Sequence, residues 1–514
     1  MDKQDNWKMH IADTIREGGY INDTYAVLTL CKNAPNAIKD LVNYGVKFHK
    51  EINGKITQRF FGAATYRRAC FSGDHTGKEI LNSLVNQVEK RKIRFLDEVY
   101  IFSLLKKNNC VNGAIGLDLK TGKIIIFNAK IIILCTGGFS RVFERSSSRF
   151  WENNGDGIKL AYDVNAKFMD MEMFQFHPTG MVYPKKAQGI LVTEAVRGEG
   201  GILLNNKNER FMRKYDKKRM ELSARDIVAR AVYSEIKKGN GTKNHGVYLD
   251  ITSKTKDYIL KRLPKMYWQF KKYANIDISK EKMEVAPTAH YSMGGVYVDH
   301  KTGKTSVKNL FAIGEITSGV HGANRLGGNS LAEIIVFGKL TARNAIKDLK
   351  KIKFLDLDST LIRKFIKKFY DNLNSNGKDS LKIKKKIQDI MWKNVGVVRN
   401  GKDMRNALEE LQKIKKIKLK TGKKLKNNLK LIAALDVINM IPTCEMIIKS
   451  ALFRKESRGA HYREDFPKTL SKYKLNIVCY LENGEIKSTT RKIPEIPNDI
   501  KRYLNKGVNV HLLE

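Results

Sequence analysis

Five short segments of this chain crowd charged and polar residues into glycine-rich, turn-like surroundings. They are FQFHPTG (174–180), LVTEAVRGEGG (191–201), ELSARD (221–226), APTAHYSMGG (286–295) and GEITSGVHGANRLGGNSLAE (314–333). Glycine lets backbone approach a ligand closely, so segments like these belong at the ends of periodic elements, and those elements are readable. The start, WKMHIADTIREGG followed by DTYAVLTLCKNAPNAIKDLVNYG, predicts interrupted helix. Residues 93–134 (IRFLDEVYIFSLL, VNGAIGLDL, KIIIFNAKIIIL) alternate or run apolar, which predicts strands with a turn at TG 121–122, the last strand ending in TGG at 136–138. Residues 177–289 mix motif loops with helix, 290–345 return to strand, glycine-rich loop and helix, 346–450 predict helix, and 461–514 predict short strands and turns. The fold class implied is α/β with an inserted domain and a helical C-terminal region. No GxGxxG follows a predicted strand; GEGG (198–201) and GGNS (327–330) have other spacings.

The 514 residues suit two to four domains of about 150 residues each, and 42% hydrophobic residues exclude global disorder. The formal net charge of +43 raises nucleic acid or an anionic membrane as partners. Much of that excess sits in lysine-rich stretches at 346–353, 382–387 and 412–428, which alternate with apolar residues as surface helices do. No zinc-finger, RNA-binding or basic-zipper pattern accompanies them. The six cysteines form no CxxC pair, which argues against a cluster or structural zinc, and Cys135, in IIILC, reads as a buried thiol. The apolar run around IIIL at 131–134 falls far short of the roughly 20 residues that span a bilayer, and the chain reads as soluble.

Three of the charged residues can be argued individually. His177 precedes Pro178, which pushes its backbone to an extended conformation, and a fixed imidazole at a strand end suits an anion as readily as it suits no function. Ser223 and Asp226 form a capping-box pattern, with Val228, Val232 and Ile236 continuing at helical spacing. Arg225 then falls in a first turn, where the helix dipole disfavours a cation. Arg325 stands among Gly314, Gly319, Gly322, Gly327 and Gly328. A guanidinium pairs bidentately with a carboxylate, and Ser330 opens a predicted helix whose start attracts anions. Metal-ligand spacing and GxSxG are absent. The residues alone point to a small dianion bound by an α/β enzyme of undetermined reaction.

The same motifs resemble the flavoprotein subunits of succinate dehydrogenase and fumarate reductase, with L-aspartate oxidase as a relative, from about residue 7 to SALFRKESRGAHYREDFP (450–467). The resemblance implies an FAD-binding, Rossmann-like domain in two parts (1–176 and 290–348), an inserted capping domain (177–289), a helical domain (349–460) and a C-terminal region (461–514). It implies that His177, Thr193, His290 and Arg325 hold the carboxylates of fumarate or succinate. Arg225 is similar to the arginine that delivers a proton while FAD delivers hydride, and Glu194 to its acidic partner. Gly137, Gly138, Asp156, Glu315, Ser330 and Leu331 look like FAD-binding positions, and no metal site is implied. An iron–sulfur subunit is the implied partner, nucleic acid is not, and the implied location is cytoplasmic, meeting the membrane's inner face only through other subunits. The family's strand–GxGxxG–helix segment, and the histidine that bonds FAD covalently in many members, fall ahead of residue 1. The expectation is therefore a fold lacking that βαβ segment and a reading frame that extends upstream. Ala63 stands in RFFGAA where a second glycine is usual.

L-aspartate oxidases read HPTA, SEAVRGEG, PAAHYTCGG and NRLASNSLLE. Here Thr193, Thr288, Met293, Gly327, Gly328 and Ala332 side with the dicarboxylate enzymes. The overall texture is most similar to soluble-type archaeal fumarate reductases, including the thiol-dependent kind. The alternative of another class is an inactive, basic, nucleic-acid-binding scaffold; the retained arginines and histidines weigh against it.

Overall fold

The structure, a computed structural model, describes residues 4–373 and 376–504, so 505–514 of the expected C-terminal region lie outside it. Helices α1 (Trp7–Glu17) and α2 (Thr24–Asn43) each start at a side-chain cap. Asn6 accepts from the N–H groups of Lys8 and Met9, and Asp23 from that of Ala26. Strands β1 (Val99–Lys107), β2 (Cys110–Asp118) and β3 (Ile124–Asn128) form an antiparallel sheet. Its first turn is Asn108–Asn109, both at positive φ (49° and 60°), which suits the tight twist of a two-residue hairpin. The second turn uses Gly122 at φ 76°. Only this second turn is legible as a TG pair.

The chain continues through β4 (Ile132–Leu134), α3 (Asp156–Asp163), β5 (Phe168–Met169), β6 (Phe174–Met181), α4 (Ala195–Gly198), β7 (Ile202–Leu204), α5 (Arg225–Lys237), β8 (Val247–Asp250), β9 (Met283–Ser292), β10 (Leu310–Ala312) and α6 (Asn329–Leu349). One antiparallel sheet runs β6–β9–β8–β7. In it β6 and β9 are the long strands, with His177 opposite Thr288 and Phe176 opposite Ala289. Helix α5 lies against β6 and buries Val228, Ala231 and Val232 completely. A second sheet pairs β4 with β10 in parallel. Among the described residues β4 is an edge strand, and alternation along it leaves Ile133 36% exposed. Cys135, two residues further on, is exposed for the same reason, against the expectation of a buried thiol.

Helices α7 (Ser380–Val395), α8 (Gly401–Lys415) and α9 (Leu429–Phe453) pack on one another, and the hairpin of β11 (Leu475–Glu482) and β12 (Glu485–Lys492) adds to β5. The C-terminal strands thus share a sheet with the segment leading into β6. Helix α9 corrects one expectation: it is 25 residues long and apolar enough to cross a membrane by length and composition, with 83% of its most apolar window buried inside the fold. Asp436 and Glu445 interrupt its apolar run. Both are paired within the bundle, Asp436 with Lys384 at 2.8 Å and Glu445 with Lys415 at 3.4 Å.

Arg454, just past α9, fastens this bundle to β5 and β6. Its guanidinium meets Glu172 at 2.7 Å, Glu456 at 3.2 Å and Asp170 at 3.4 Å, and donates to the carbonyls of Tyr473 and Leu475. It is fully buried, so removing it strands buried carboxylates. Arg454→Ala is expected to cost about 3–5 kcal/mol, read as a lower urea midpoint, and Arg454→Lys to recover only part because one ammonium cannot match the guanidinium fork. A loss below about 1 kcal/mol would show that the cluster does not hold the bundle.

Candidate active site

Pairing of β6 with β9 brings His177 and His290 together, their ring centroids 5.3 Å apart. His177 lies within β6, not at a strand end as expected. Its Nδ1 is 3.0 Å from the Thr179 carbonyl, and the Nδ1 of His290 is 2.9 Å from the Ser147 hydroxyl. Burial holds both imidazoles well below the usual histidine range. Arg225 and Arg197 add to this at His177, and His177 and Arg325 add to it at His290. Both rings are neutral at neutral pH.

Arg225 is the first residue of α5, but the expected capping box does not form: Ala224 occupies the cap position, and the Ser223 hydroxyl donates to Asp216 instead. The unfavourable dipole position is offset by direct pairing. Nε and Nη2 of Arg225 both meet Oε2 of Glu194, at 2.8 Å and 2.7 Å, and Nη1 donates to Gln175 at 3.0 Å. Burial alone raises a carboxyl pKa, but here Arg225, Arg197 and the Gly62 N–H outweigh it and bring Glu194 down to about 2. Thr193, just ahead, is half-buried, and its hydroxyl accepts from the Ala195 N–H.

Arg197 is a residue the motifs alone did not single out. It sits one turn after Glu194 on α4, 2% exposed, with Nη2 4.0 Å from the same Oε2. Its Nε and Nη2 have no hydrogen-bond partner. The i,i+3 spacing of Glu194 and Arg197 within one motif was the available signal. Arg325 is 3% exposed, lies 4.4 Å over the Tyr291 ring and has an unpartnered Nε. Burial, then the charge of Arg225, lowers its pKa to about 10. The Tyr291 hydroxyl donates to Glu333, which also meets His321 at 2.7 Å.

The expected cofactor positions divide by what their side chains do. A Cβ on Gly138 would come 2.0 Å from the Ser292 hydroxyl and 2.4 Å from Glu315, and Gly137 stands at φ 71°, so only glycine fits there. Burial raises the Glu315 pKa to about 7. Helix α6 starts from Gly328 at φ 89° without a side-chain cap, which leaves its first turn open to an anionic group. Ser330 is half-buried in that turn, whereas the Leu331 side chain packs into an apolar cluster with Leu41 and Ile80. The Asp156 carboxylate is taken up by Tyr100 and Asn439, away from the arginines. A Cβ on Gly327 would strike Phe61, so the 58–63 loop closes on the start of α6. Within that loop Ala63 is held at φ 66°, a left-handed conformation that costs a non-glycine residue roughly 1–2 kcal/mol and accounts for glycine being usual there. This glycine cradle and the open helix start fit an anionic cofactor.

Comparison with known proteins agrees with this chemistry. Residues 1–331 match the family described as FAD binding domain, and 384–496 that described as fumarate reductase flavoprotein C-term. One subunit of the fumarate reductase (CoM/CoB) of Methanothermobacter marburgensis is 42% identical over 480 residues, covering 93% of this chain and 87% of the relative. The succinate dehydrogenase flavoprotein subunit of Rickettsia bellii is 36% identical over 489 residues, covering 90% and 81%. The structure of E. coli quinol fumarate reductase superposes with a TM-score of 0.90 at 28% identity, covering 97% of this chain and 89% of that one. With an FAD-binding domain and both of these relatives matched over most of its length, the chain belongs to the FAD-dependent family of fumarate reductase and succinate dehydrogenase flavoprotein subunits.

Proposed function

We propose that this chain interconverts fumarate and succinate, and the observation that carries the reading is the charge of the site. Three buried guanidiniums, Arg197, Arg225 and Arg325, face one ionised carboxylate, Glu194, while His177 and His290 stay neutral. That surplus of positive charge is unfavourable in a dry interior. A C4 dicarboxylate dianion compensates it, leaving the site close to neutral.

In this reading His177, Thr193, His290 and Arg325 bind and orient the two carboxylates, and Arg225 delivers a proton to one substrate carbon. A guanidinium with its usual pKa above about 12 is a poor acid unless it is reprotonated at once. Glu194 supports that role, because its Oε2 touches Arg225 directly and lies 4.0 Å from Arg197, so Arg197 and Glu194 can resupply the proton. FAD, when bound, would supply or accept the electron pair as hydride; Gly137, Gly138, Glu315 and Ser330 would hold it, and Asp156 and Leu331, whose side chains are engaged elsewhere, would contribute through their backbone. Residues 177–289 act as the capping domain over 1–176 and 290–348, with 349–460 as the helical domain. The relatives are named as subunits, which supports a partner subunit; in this reading that partner is an iron–sulfur protein that exchanges electrons with the chain, and the chain is cytoplasmic, meeting the membrane only through other subunits. The Methanothermobacter relative, named for CoM and CoB, supports the thiol-dependent type.

Arg225→Lys is expected to abolish turnover of the FAD-loaded protein while leaving malonate affinity largely intact; near-normal turnover would remove Arg225 from the mechanism. Arg325→Ala is expected to raise the malonate Kd at least about tenfold, since a charge-assisted hydrogen bond contributes roughly 1.5–3 kcal/mol. An unchanged Kd would move the dianion elsewhere.

Acid sensitivity follows from the same groups. His177 and His290 have folded pKa values below the usual value of about 6.5, so the unfolded chain takes up their protons first. Their contribution is complete above that pH and declines as pH falls beneath it. Glu194, depressed to about 2, adds stability that is present above its unfolded value of about 4.3 and lost on further acidification. Glu315, raised to about 7, takes up its proton in the folded state first and works in the opposite direction, so the test is a comparison: between about pH 7 and pH 5 the denaturation midpoint of His177→Gln is expected to fall less than that of the wild type. Identical pH profiles for the two proteins would contradict the neutral imidazole at His177.

A further inference from the structure

The turn that carries Glu194 and Arg197 has a second face. Glu194 and Arg197, at i,i+3, share one side, while Ala195, Gly198 and Glu199 line a separate cavity of about 230 Å³. Arg59, Arg67 and Arg262 complete its wall; Arg67 is exposed and engaged by other contacts, so the part-buried guanidiniums of Arg59 and Arg262 are the two that face the one carboxylate. That carboxylate is already engaged. Oε1 of Glu199 meets Arg262 through Nε and Nη2, at 3.1 Å and 2.8 Å, and Oε2 accepts from the Tyr258 hydroxyl at 2.6 Å.

Arg59 is the informative member. Its Nη2 donates to the Gly73 carbonyl at 2.9 Å, and its guanidinium stacks 4.3 Å over the Phe71 ring. Its Nε and Nη1 are buried with no hydrogen-bond partner, and no carboxylate lies within ion-pair distance of it among the described residues. Two buried N–H groups left this way on a part-buried guanidinium are costly unless something completes them. The stacking holds the group in place without meeting its N–H donors.

We infer that this cavity is a second anion site, which takes a small oxyanion of carboxylate or phosphate type against Arg59. Its volume lies below the roughly 300 Å³ at which pockets for larger organic ligands begin, and suits inorganic phosphate or a short dicarboxylate. The site shares no arginine with the dianion site described above. It also stands whether or not the chain acts on fumarate.

The test is isothermal titration of the full chain with inorganic phosphate and, separately, with malonate, in wild type, Arg59→Gln, Arg262→Gln and Arg325→Ala. Arg59→Gln is expected to weaken one binding event at least about tenfold, the loss typical of a charge-assisted hydrogen bond, while Arg325→Ala leaves that event unchanged. Arg262→Gln guards against misfolding of the first variant, because its side chain is 30% exposed. It leaves Glu199 uncompensated, so the same event should weaken again through repulsion. If phosphate titrates this event, the ligand is phosphate. If malonate shows a second, Arg59-dependent event beside the Arg325-dependent one, the ligand is a dicarboxylate. Binding of both anions that is unaltered in Arg59→Gln and Arg262→Gln, or lost entirely in Arg325→Ala, overturns the inference.

Discussion

Burying guanidinium in excess of carboxylate is the constraint on which the site depends. Arg197, Arg225 and Arg325 are each under 10% exposed, and Glu194 is the one carboxylate paired with them among the described residues. Charge desolvated without compensation is unfavourable by many kilocalories, so this arrangement persists only because each group is constrained from outside. Arg225 is fixed by Glu194 and Gln175, Arg197 donates to the Glu221 carbonyl, and Arg325 rests on Tyr291. The excess of buried positive charge is a standing electrostatic cost, which a bound dianion would relieve under the proposed function.

The scaffold transmits that constraint through one amide. Gln175, on β6, accepts from Arg225 through Oε1 and donates through Nε2 to Asn324 at 2.7 Å and to the Arg325 carbonyl at 2.9 Å. Asn324 in turn donates to Glu17 at the end of α1 and to Asp226 on α5. The residue two before His177 therefore links both arginines to the first helix of the chain. The strand pairing that juxtaposes His177 and His290 and the network that spaces Arg225 from Arg325 are consequences of the same β6.

The sequence was most legible where chemistry and spacing coincide. Arg225, Glu194, Arg325 and the two histidines stand in dense motifs, and the fold brings all five together. The parts it concealed have physical reasons. Arg197 sits in the same motif as Glu194, but its role appears only when burial leaves its nitrogens unpartnered. The Asn108–Asn109 turn carries no glycine, and asparagine's tolerance of positive φ is a weaker cue. Ser223 satisfies the capping-box pattern, yet Asp216 competes successfully for its hydroxyl. Helix α9 hid its length because Asp436 and Glu445 break the apolar run, and only the packed bundle shows that Lys384 and Lys415 neutralise them. Cys135 follows an apolar run that would be buried in a central strand, whereas β4 lies at an edge among the described residues.

The net charge of +43 combines two populations with different physics. The lysine-rich faces of the helical region are largely exposed, where salt screens them over about 8–10 Å and they bias encounters with any anion alike. Arg197, Arg225 and Arg325 are buried, where screening is weak and each unmatched N–H demands a partner of definite shape. Arginine suits that task because its weakly hydrated, planar fork loses less on burial than an ammonium. Selectivity for a dicarboxylate over other anions thus resides in the few buried guanidiniums and not in the overall charge. A variant that removed surface lysines while keeping Arg225 and Arg325 would change how fast anions arrive, but not which one stays.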